Sequence, residues 1–213
     1  MKKFDIAIIG GGILGTTISY WISNLYDSSV CVIEKESNVA KHTSGRNTGV
    51  VHTPFYLNPE KKRIFAKSAH ISHDLWETLA KNTMSPWDEI GTIEVALDEI
   101  QYKTLQKYQK WGIQNGVSEN NLSLLDSNEL KEKEKNIECH SGLLCKTDVC
   151  TDYSKLTREV QKISVQNSTE FLFQKNVKSF LVNGDTIQIN FTDGSSIECN
   201  YLINCSGGNS LDI

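Results

Sequence analysis

The sequence has no apolar run approaching the roughly 20 residues that a membrane-spanning helix needs. Met1-Lys2-Lys3 looks like the start of a secretion signal, but the apolar stretch behind it is short and breaks at three glycines, so no signal peptide is expected. Positive charge is not in excess. The net charge is −4, and Lys61-Lys62-Arg63 is the only basic tract, which argues against a nucleic-acid partner. The six cysteines form no CxxC pair and the five histidines no HExxH spacing, so no metal site is expected. The cysteines read as reduced thiols in a reducing compartment, with Cys31 and Cys205 as small hydrophobes inside apolar strands. These absences leave a soluble, cytoplasmic protein of 213 residues, long enough to fill one large core or two small ones.

What is present concentrates at the N-terminus. Phe4 to Ile9 is a short apolar run with β-branched residues, which reads as a buried parallel strand. It enters Gly10-Gly11-Gly12-Ile13-Leu14-Gly15, followed by a helical stretch from Thr16 to Asn24. A second apolar strand, Val30 to Ile33, ends in Glu34. This is the βαβ dinucleotide-binding pattern. Gly10 permits the tight turn, Gly12 leaves room for a pyrophosphate, and Gly15 lets the helix pack on the strand. The helix N-terminus, with Ile13 and Leu14, offers free N–H groups and a dipole to the anion. Glu34 is placed to accept hydrogen bonds from ribose hydroxyls, with Lys35 beside it. Three glycines at these offsets arise by chance in roughly one chain of this length in fifteen. The glycines therefore decide little without the strand, helix and acid around them.

After Glu34 an NAD-type domain would soon begin a second helix and a third strand. This chain instead runs through a polar loop, Lys35 to Lys41, into His42-Thr43-Ser44-Gly45-Arg46-Asn47-Thr48-Gly49-Val50-Val51-His52. Its hydroxyls, amides and backbone N–H groups, with the fixed cation of Arg46, suit the inner phosphates of a longer cofactor. With Gly10-x-Gly12-x-x-Gly15 and Glu34, this segment resembles the FAD-dependent oxidoreductases of the D-amino-acid oxidase (DAO) superfamily, and within it the L-2-hydroxyglutarate oxidase/dehydrogenase branch. Thr48 replaces a serine of that branch, and Thr53-Pro54-Phe55-Tyr56 departs from it where substrate contacts would lie.

The resemblance implies an α/β fold: a Rossmann-like FAD-binding domain of the DAO type, with an inserted antiparallel β-meander and part of a substrate domain. The expected division is residues 1–52 with 148–213 for the FAD-binding domain, and 53–147 for the insertion. FAD is the implied cofactor. Its expected contacts are Gly10, Gly12, Ile13, Leu14, Gly15, Glu34, Lys35, Thr43, Ser44, Arg46 and Asn47 from the first half, and Val177, Cys205, Ser206 and Gly207 from the second. His52 is the candidate proton acceptor, because an imidazole titrates near neutrality; fixing the loop is its competing role. Arg46 is read as a partner for either phosphate or a substrate carboxylate.

Elsewhere, Glu60 to Lys81 reads as an amphipathic helix with Ile64, Ile71, Leu75 and Leu79 on one face. His70 and His73 on it read as surface or packing residues. A strand is expected over Gly91–Leu97, a helix over Asp98–Asn115 packed through Leu105, Tyr108 and Trp111, and a short solvated helix over Ser127–Lys135. A strand follows at Gly142–Cys145, then a helix capped by Asp152 and running to Gln166. Asp152 is a cap alone, or a cap near the substrate. Strands at Phe171–Phe173, Val177–Leu181, Thr186–Phe191 and Ser195–Cys199, turning at Asn183-Gly184-Asp185 and Thr192-Asp193-Gly194, form the meander. A separate buried strand, Tyr201–Cys205, precedes Ser206-Gly207-Gly208.

Chains of the resembling family continue well past this strand, so a truncated copy of a longer oxidoreductase is expected, with apolar faces left for a partner chain or self-association. The implied activity is hydride transfer from a small 2-hydroxy acid, L-2-hydroxyglutarate-like, to flavin. The alternatives are a non-catalytic FAD- or ADP-binding fragment that needs a partner chain, an amino-acid oxidase or dehydrogenase, and an NAD-dependent dehydrogenase. The electron acceptor stays open, and with it a peripheral membrane association.

Overall fold

The computed structural model describes residues 1–210; the expected FAD-binding segment to residue 213 runs three residues outside the described ones. The chain forms two compact units, Met1–Thr48 with Asp152–Ile213, and Gly49–Thr151. These boundaries fall four residues from those expected at 52 and 148. The reason is a strand pair on the insertion side, described below, that draws residues 49–52 and 148–151 into the second unit.

The first unit opens with β1 (Lys2–Ile9), α1 (Ile13–Leu25) and β2 (Val30–Ile33). β1 and β2 are parallel, with Ile8 opposite Val32 and Ile9 opposite Ile33. Alternation of Cβ direction along β1 sends Ala7 and Ile9 to one face and Ile8 to the other. Both faces are covered: Ala7, Ile9, Cys31 and Ile33 pack with Ile189 and Phe191, while Ile8, Val30 and Val32 pack with Ile18 and Ile22 of α1. Each fully buried valine, isoleucine or phenylalanine among them contributes about 1.5–3 kcal/mol.

The second unit begins with β3 (Val50–Val51), α2 (Arg63–Asn82), β4 (Trp87–Asp88), β5 (Thr92–Ala96) and α3 (Glu99–Gln114). It continues with β6 (Leu122–Asp126), α4 (Ser127–Lys133), β7 (Ser141–Cys145) and β8 (Val149–Thr151). β8 lies between β3 and β4, and β7 between β5 and β6, all antiparallel. Leu105 of α3 packs with Phe55, Ala96, Leu122, Leu143 and Cys145. Asp98 caps α3 by accepting from Gln101 N, and Asp126 with Glu129 forms a capping box on α4. β3, β4, β6 and β8 are strands that the sequence pattern does not show. α2 also differs from its reading: its buried residues are Ala66 and Ala80, whereas Ile64 is 80% and Ile71 53% exposed. Small side chains make the close contact, and the apolar stripe faces outward.

The chain then returns to the first unit with α5 (Tyr153–Gln166), capped by Asp152, whose side chain accepts from Lys155 N. β9 (Glu170–Leu172), β10 (Val177–Asn183), β11 (Thr186–Phe191) and β12 (Ser196–Asn204) follow. They complete a six-stranded sheet in the order β10-β11-β12-β1-β2-β9. β12 replaces the two strands expected at Ser195–Cys199 and Tyr201–Cys205. Its first half pairs antiparallel with β11 and its whole length runs parallel to β1, so Asn200 does not interrupt it. The expected burial of its second half is not found, since Tyr201 is 69% exposed. α1 and α5 lie close because small buried residues face each other, with Ser19 Oγ 3.4 Å from Ser164 Oγ. No helix among the described residues is long and apolar enough to cross a membrane.

Candidate functional site

The sheet of the first unit carries a cleft at the carboxyl ends of β1, β2 and β12, where open α/β sheets bind ligands. Its volume is about 850 Å³. The chain leaves β1 through Gly10, whose φ is +107° and whose absent Cβ would lie 2.3 Å from Cys205 O. Only glycine permits both the turn and this approach to the end of β12. Gly12 then caps α1, and Ser44 Oγ accepts from Ile13 N at 2.9 Å, taking one of the N–H groups that a helix start leaves unpaired. Glu34 is buried. Its Oε2 accepts from Gly11 N at 2.7 Å and its Oε1 from Glu36 N at 2.9 Å, which ties the acid to the glycine turn.

Of the residues nominated from sequence, Gly10, Gly12, Ile13, Leu14, Glu34 and Lys35 line this cleft. So do Thr43, Ser44, Val177, Cys205, Ser206 and Gly207. Gly15 does not. An added Cβ there would lie 2.0 Å from Gly10 O, so its role is helix–strand packing. Arg46 and Asn47 also fall outside the lining. Asn47 Nδ2 instead donates to the carbonyls of Thr43 and Ser44, closing the 3-10 turn at Thr43–Gly45. Lys41, His42, Lys175 and Asn176, which are not among the nominated contacts, line the cleft as well. Lys175 is held by Asp193 at 2.5 Å and Ser195 at 2.9 Å. Its position depends on the meander's turn, which a local sequence window does not reveal.

His52 belongs to the second unit. β3 and β8 pair Val50 with Cys150 and Val51 with Val149, and one step further along the ladder His52 meets Asp148. His52 Nδ1 lies 2.7 Å from Asp148 Oδ2. The Asp148 side chain is fully buried, and it also accepts from Thr53 N, Thr53 Oγ1 and Thr92 Oγ1. Burial would push the Asp148 carboxyl up, but the contact with His52 and the donations from Thr53 and Thr92 together hold it below its ordinary value. The Asp148 hydrogen bond raises the His52 pKa, against burial and with help from Glu94. Tyr56 stands edge-on to the imidazole at 5.8 Å. On α2, His73, Asp74 and Glu77 bring ligand atoms within 4.8 Å of one another, but Lys81 engages Glu77 at 2.5 Å.

Residues 5–213 match the family described as FAD dependent oxidoreductase, DAO. The chain belongs to that family. Among its relatives, an L-2-hydroxyglutarate dehydrogenase of Escherichia coli is 26% identical over 205 residues, covering 96% of this chain and 47% of its own. The human mitochondrial L-2-hydroxyglutarate dehydrogenase is 29% identical, covering 97% and 46%. A glycerol 3-phosphate dehydrogenase of Caloramator mitchellensis is 28% identical, covering 96% and 42%. The chain thus spans about half the length of the curated relatives it matches. Of the solved structures, an L-α-glycerophosphate oxidase of Mycoplasma pneumoniae with FAD bound aligns at a TM-score of 0.82 and 24% identity, over 95% of this chain and 53% of its own. A glycine oxidase of Geobacillus kaustophilus aligns at 0.85 and 16% identity, over 99% and 57%. These two likenesses are of fold.

The cleft of this DAO-family chain fits the ADP half of FAD in its chemistry. Gly12 lacks the Cβ that would crowd Ser44 Oγ at 3.0 Å, and a Cβ on Gly207 or Gly208 would meet open space. Polar backbone and hydroxyl groups flank the start of α1, and the buried Glu34 closes β2. Asp148 and Thr92 are the residues that sequence reading missed outright. The only local signal was an aspartate beside a short apolar stretch, and its partner lies 96 residues away.

Proposed function

We propose that the first unit holds FAD in its cleft, and that the chain forms part of an oxidoreductase acting on a small 2-hydroxy acid. The observation that carries this reading is the glycine-walled cleft between the start of α1, Glu34 and the turn after β12. Gly10, Gly12 and the first turn of α1, with Ile13 and Leu14, would take the diphosphate, and Thr43 and Ser44 its inner side. Glu34, next to Lys35, would take the ribose hydroxyls, and Val177 the adenine. Cys205, Ser206 and Gly207 would pass beside the cofactor. Arg46 and Asn47 are left out of this set, because they stand outside the cleft lining.

FAD, when bound, supplies a two-electron acceptor for the donor's C–H hydrogen. The chain's part in the reaction is to move a proton. Turning a hydroxyl into a carbonyl requires the O–H proton to leave, and His52 Nε2 is its proposed acceptor. An alcohol holds that proton at neutral pH, whereas an amine can lose one to water before it binds. An imidazole backed by a buried carboxylate therefore favours a hydroxyl donor, in keeping with relatives named for L-2-hydroxyglutarate and glycerol 3-phosphate. Anaerobic mixing of the FAD-loaded chain with L-2-hydroxyglutarate, glycerol 3-phosphate and L-amino acids tests this. Bleaching of the flavin by the hydroxy acid is expected, and bleaching by amino acids alone would reject it. A second reading is a chain that binds FAD but turns over only beside a partner. The outward apolar stripe of α2 supports it, and bleaching by the isolated chain would count against it.

A further inference from the structure

His52 sits at the end of a hydrogen-bond system larger than a pair. Asp148 Oδ1 accepts from Thr53 N at 2.7 Å and from Thr53 Oγ1 at 2.8 Å. Asp148 Oδ2 accepts from Thr92 Oγ1 at 2.7 Å and faces His52 Nδ1 at the same distance. Cys145 Sγ adds a weak contact to Oδ1 at 3.5 Å. The backbone builds this nest from three places. His52 and Thr53 follow β3, Asp148 precedes β8, and Thr92 opens β5 just after Gly91, whose N–H donates to Asp148 O at 2.9 Å. Gly91 has a φ of +70°, and a Cβ there would lie 2.8 Å from Cys145 O. A glycine is therefore what lets Thr92 reach the carboxylate.

A buried carboxylate ringed by donors carries no proton of its own, so the proton in the contact with the imidazole lies on Nδ1. The neutral ring then has its lone pair on Nε2. We infer that Asp148 is a positioning residue: through an oxygen shared with Thr92, it fixes His52 in the Nδ1–H form and leaves Nε2 as a ready proton acceptor. This rests on the reading of His52 as the acceptor in the reaction, but the bond itself can be tested without cofactor or substrate. The charged groups that act on the ring are Asp148 before β8 and Glu94 on β5, and the titratable Tyr56 in the loop after β3 stands edge-on to it. Asp148 is the one in direct contact.

The test is a pH titration of the His52 ring nitrogens by NMR in the full chain. The neutral ring should be protonated at Nδ1. Asp148→Asn should lower the midpoint by about one pH unit or more. Thr92→Val keeps the carboxylate but strips a donor from the shared oxygen, so it should raise the midpoint. A side chain that only fills space would not move the two variants in opposite directions. Nε2 protonation in the wild type overturns the inference, as does a midpoint that Thr92→Val lowers or leaves unchanged. If Asp148→Asn fails to fold, Thr92→Val alone decides. FAD binding measured on the same samples separates the two ideas: its loss with the Nδ1–H form intact faults the cofactor reading and not the role of Asp148.

Discussion

Gly15→Ala is the substitution that most directly tests how the glycine turn is built. In the structure an added Cβ would stand 2.0 Å from Gly10 O and 3.3 Å from Ile8 Cγ2, whereas ordinary contact begins at 3.4 Å. The obstacle at 2.0 Å is backbone, so no side chain can swing aside. α1 would have to retreat from β1 by about 1.4 Å, and the packing of Ile18 and Ile22 on Ile8, Val30 and Val32 would loosen with it. Overpacking of this kind costs about 1–3 kcal/mol. In a protein of this size that lowers the melting temperature by roughly 2–12 °C. The internal control is Gly208→Ala, at a glycine whose added Cβ meets nothing within 4 Å and which should stay within about 0.5 kcal/mol of wild type. Calorimetry of the three proteins measures this. Equal melting of Gly15→Ala and wild type would refute the close helix–strand approach from which the cleft is derived.

Other outcomes follow from the same geometry. Glu34→Gln sets an amide NH₂ against either Gly11 N–H or Glu36 N–H, and it should cost about 1–3 kcal/mol of stability and weaken FAD binding about tenfold or more; equilibrium dialysis and melting curves check both. The folded pKa of Asp148 lies below 3.8, so its contribution to stability is complete above 3.8 and is lost as pH falls through the folded value. The folded pKa of His52 lies above 6.5, so its contribution is complete below 6.5 and is lost as pH rises through the raised value. Stability from this pair should therefore be greatest between those limits, and His52→Gln should flatten the alkaline limb of melting temperature against pH. Ile64→Lys with Ile71→Lys should leave the stability within about 0.5 kcal/mol of wild type while reducing self-association by light scattering; a large loss of stability would mean that the α2 stripe is covered.

The sequence carried the first unit's architecture because its signals are local. β1, the glycine turn, α1 and β2 occupy one short span in which strand period, turn residues and helix period each act within a few neighbours. Twelve of the nominated cofactor residues line one cleft. Arg46 and Asn47 fall outside it because residue type tells what a group can bind and not where the turn sends it, while Gly15 packs α1 on β1 as its place in the glycine pattern implies. β3, β4, β6 and β8 are not legible from sequence because short strands take their stability from cross-strand partners distant in sequence. β12 reads from sequence as two strands because polar Asn200 breaks its apolar pattern. In the fold Asn200 is exposed, and the ladder to β1 runs past it. Asp148 is not legible as a site residue from sequence. A buried carboxylate is recognisable only by its donors, and those come from residues 52, 53 and 92.

Titrating FAD into the purified chain by calorimetry tests the central claim most directly. Binding of one FAD per chain is expected, with a rise in melting temperature of about 5–10 °C at a hundredfold excess over Kd, and Glu34→Gln should weaken both. A chain that takes up no flavin, and melts at the same temperature with and without it, would contradict the account.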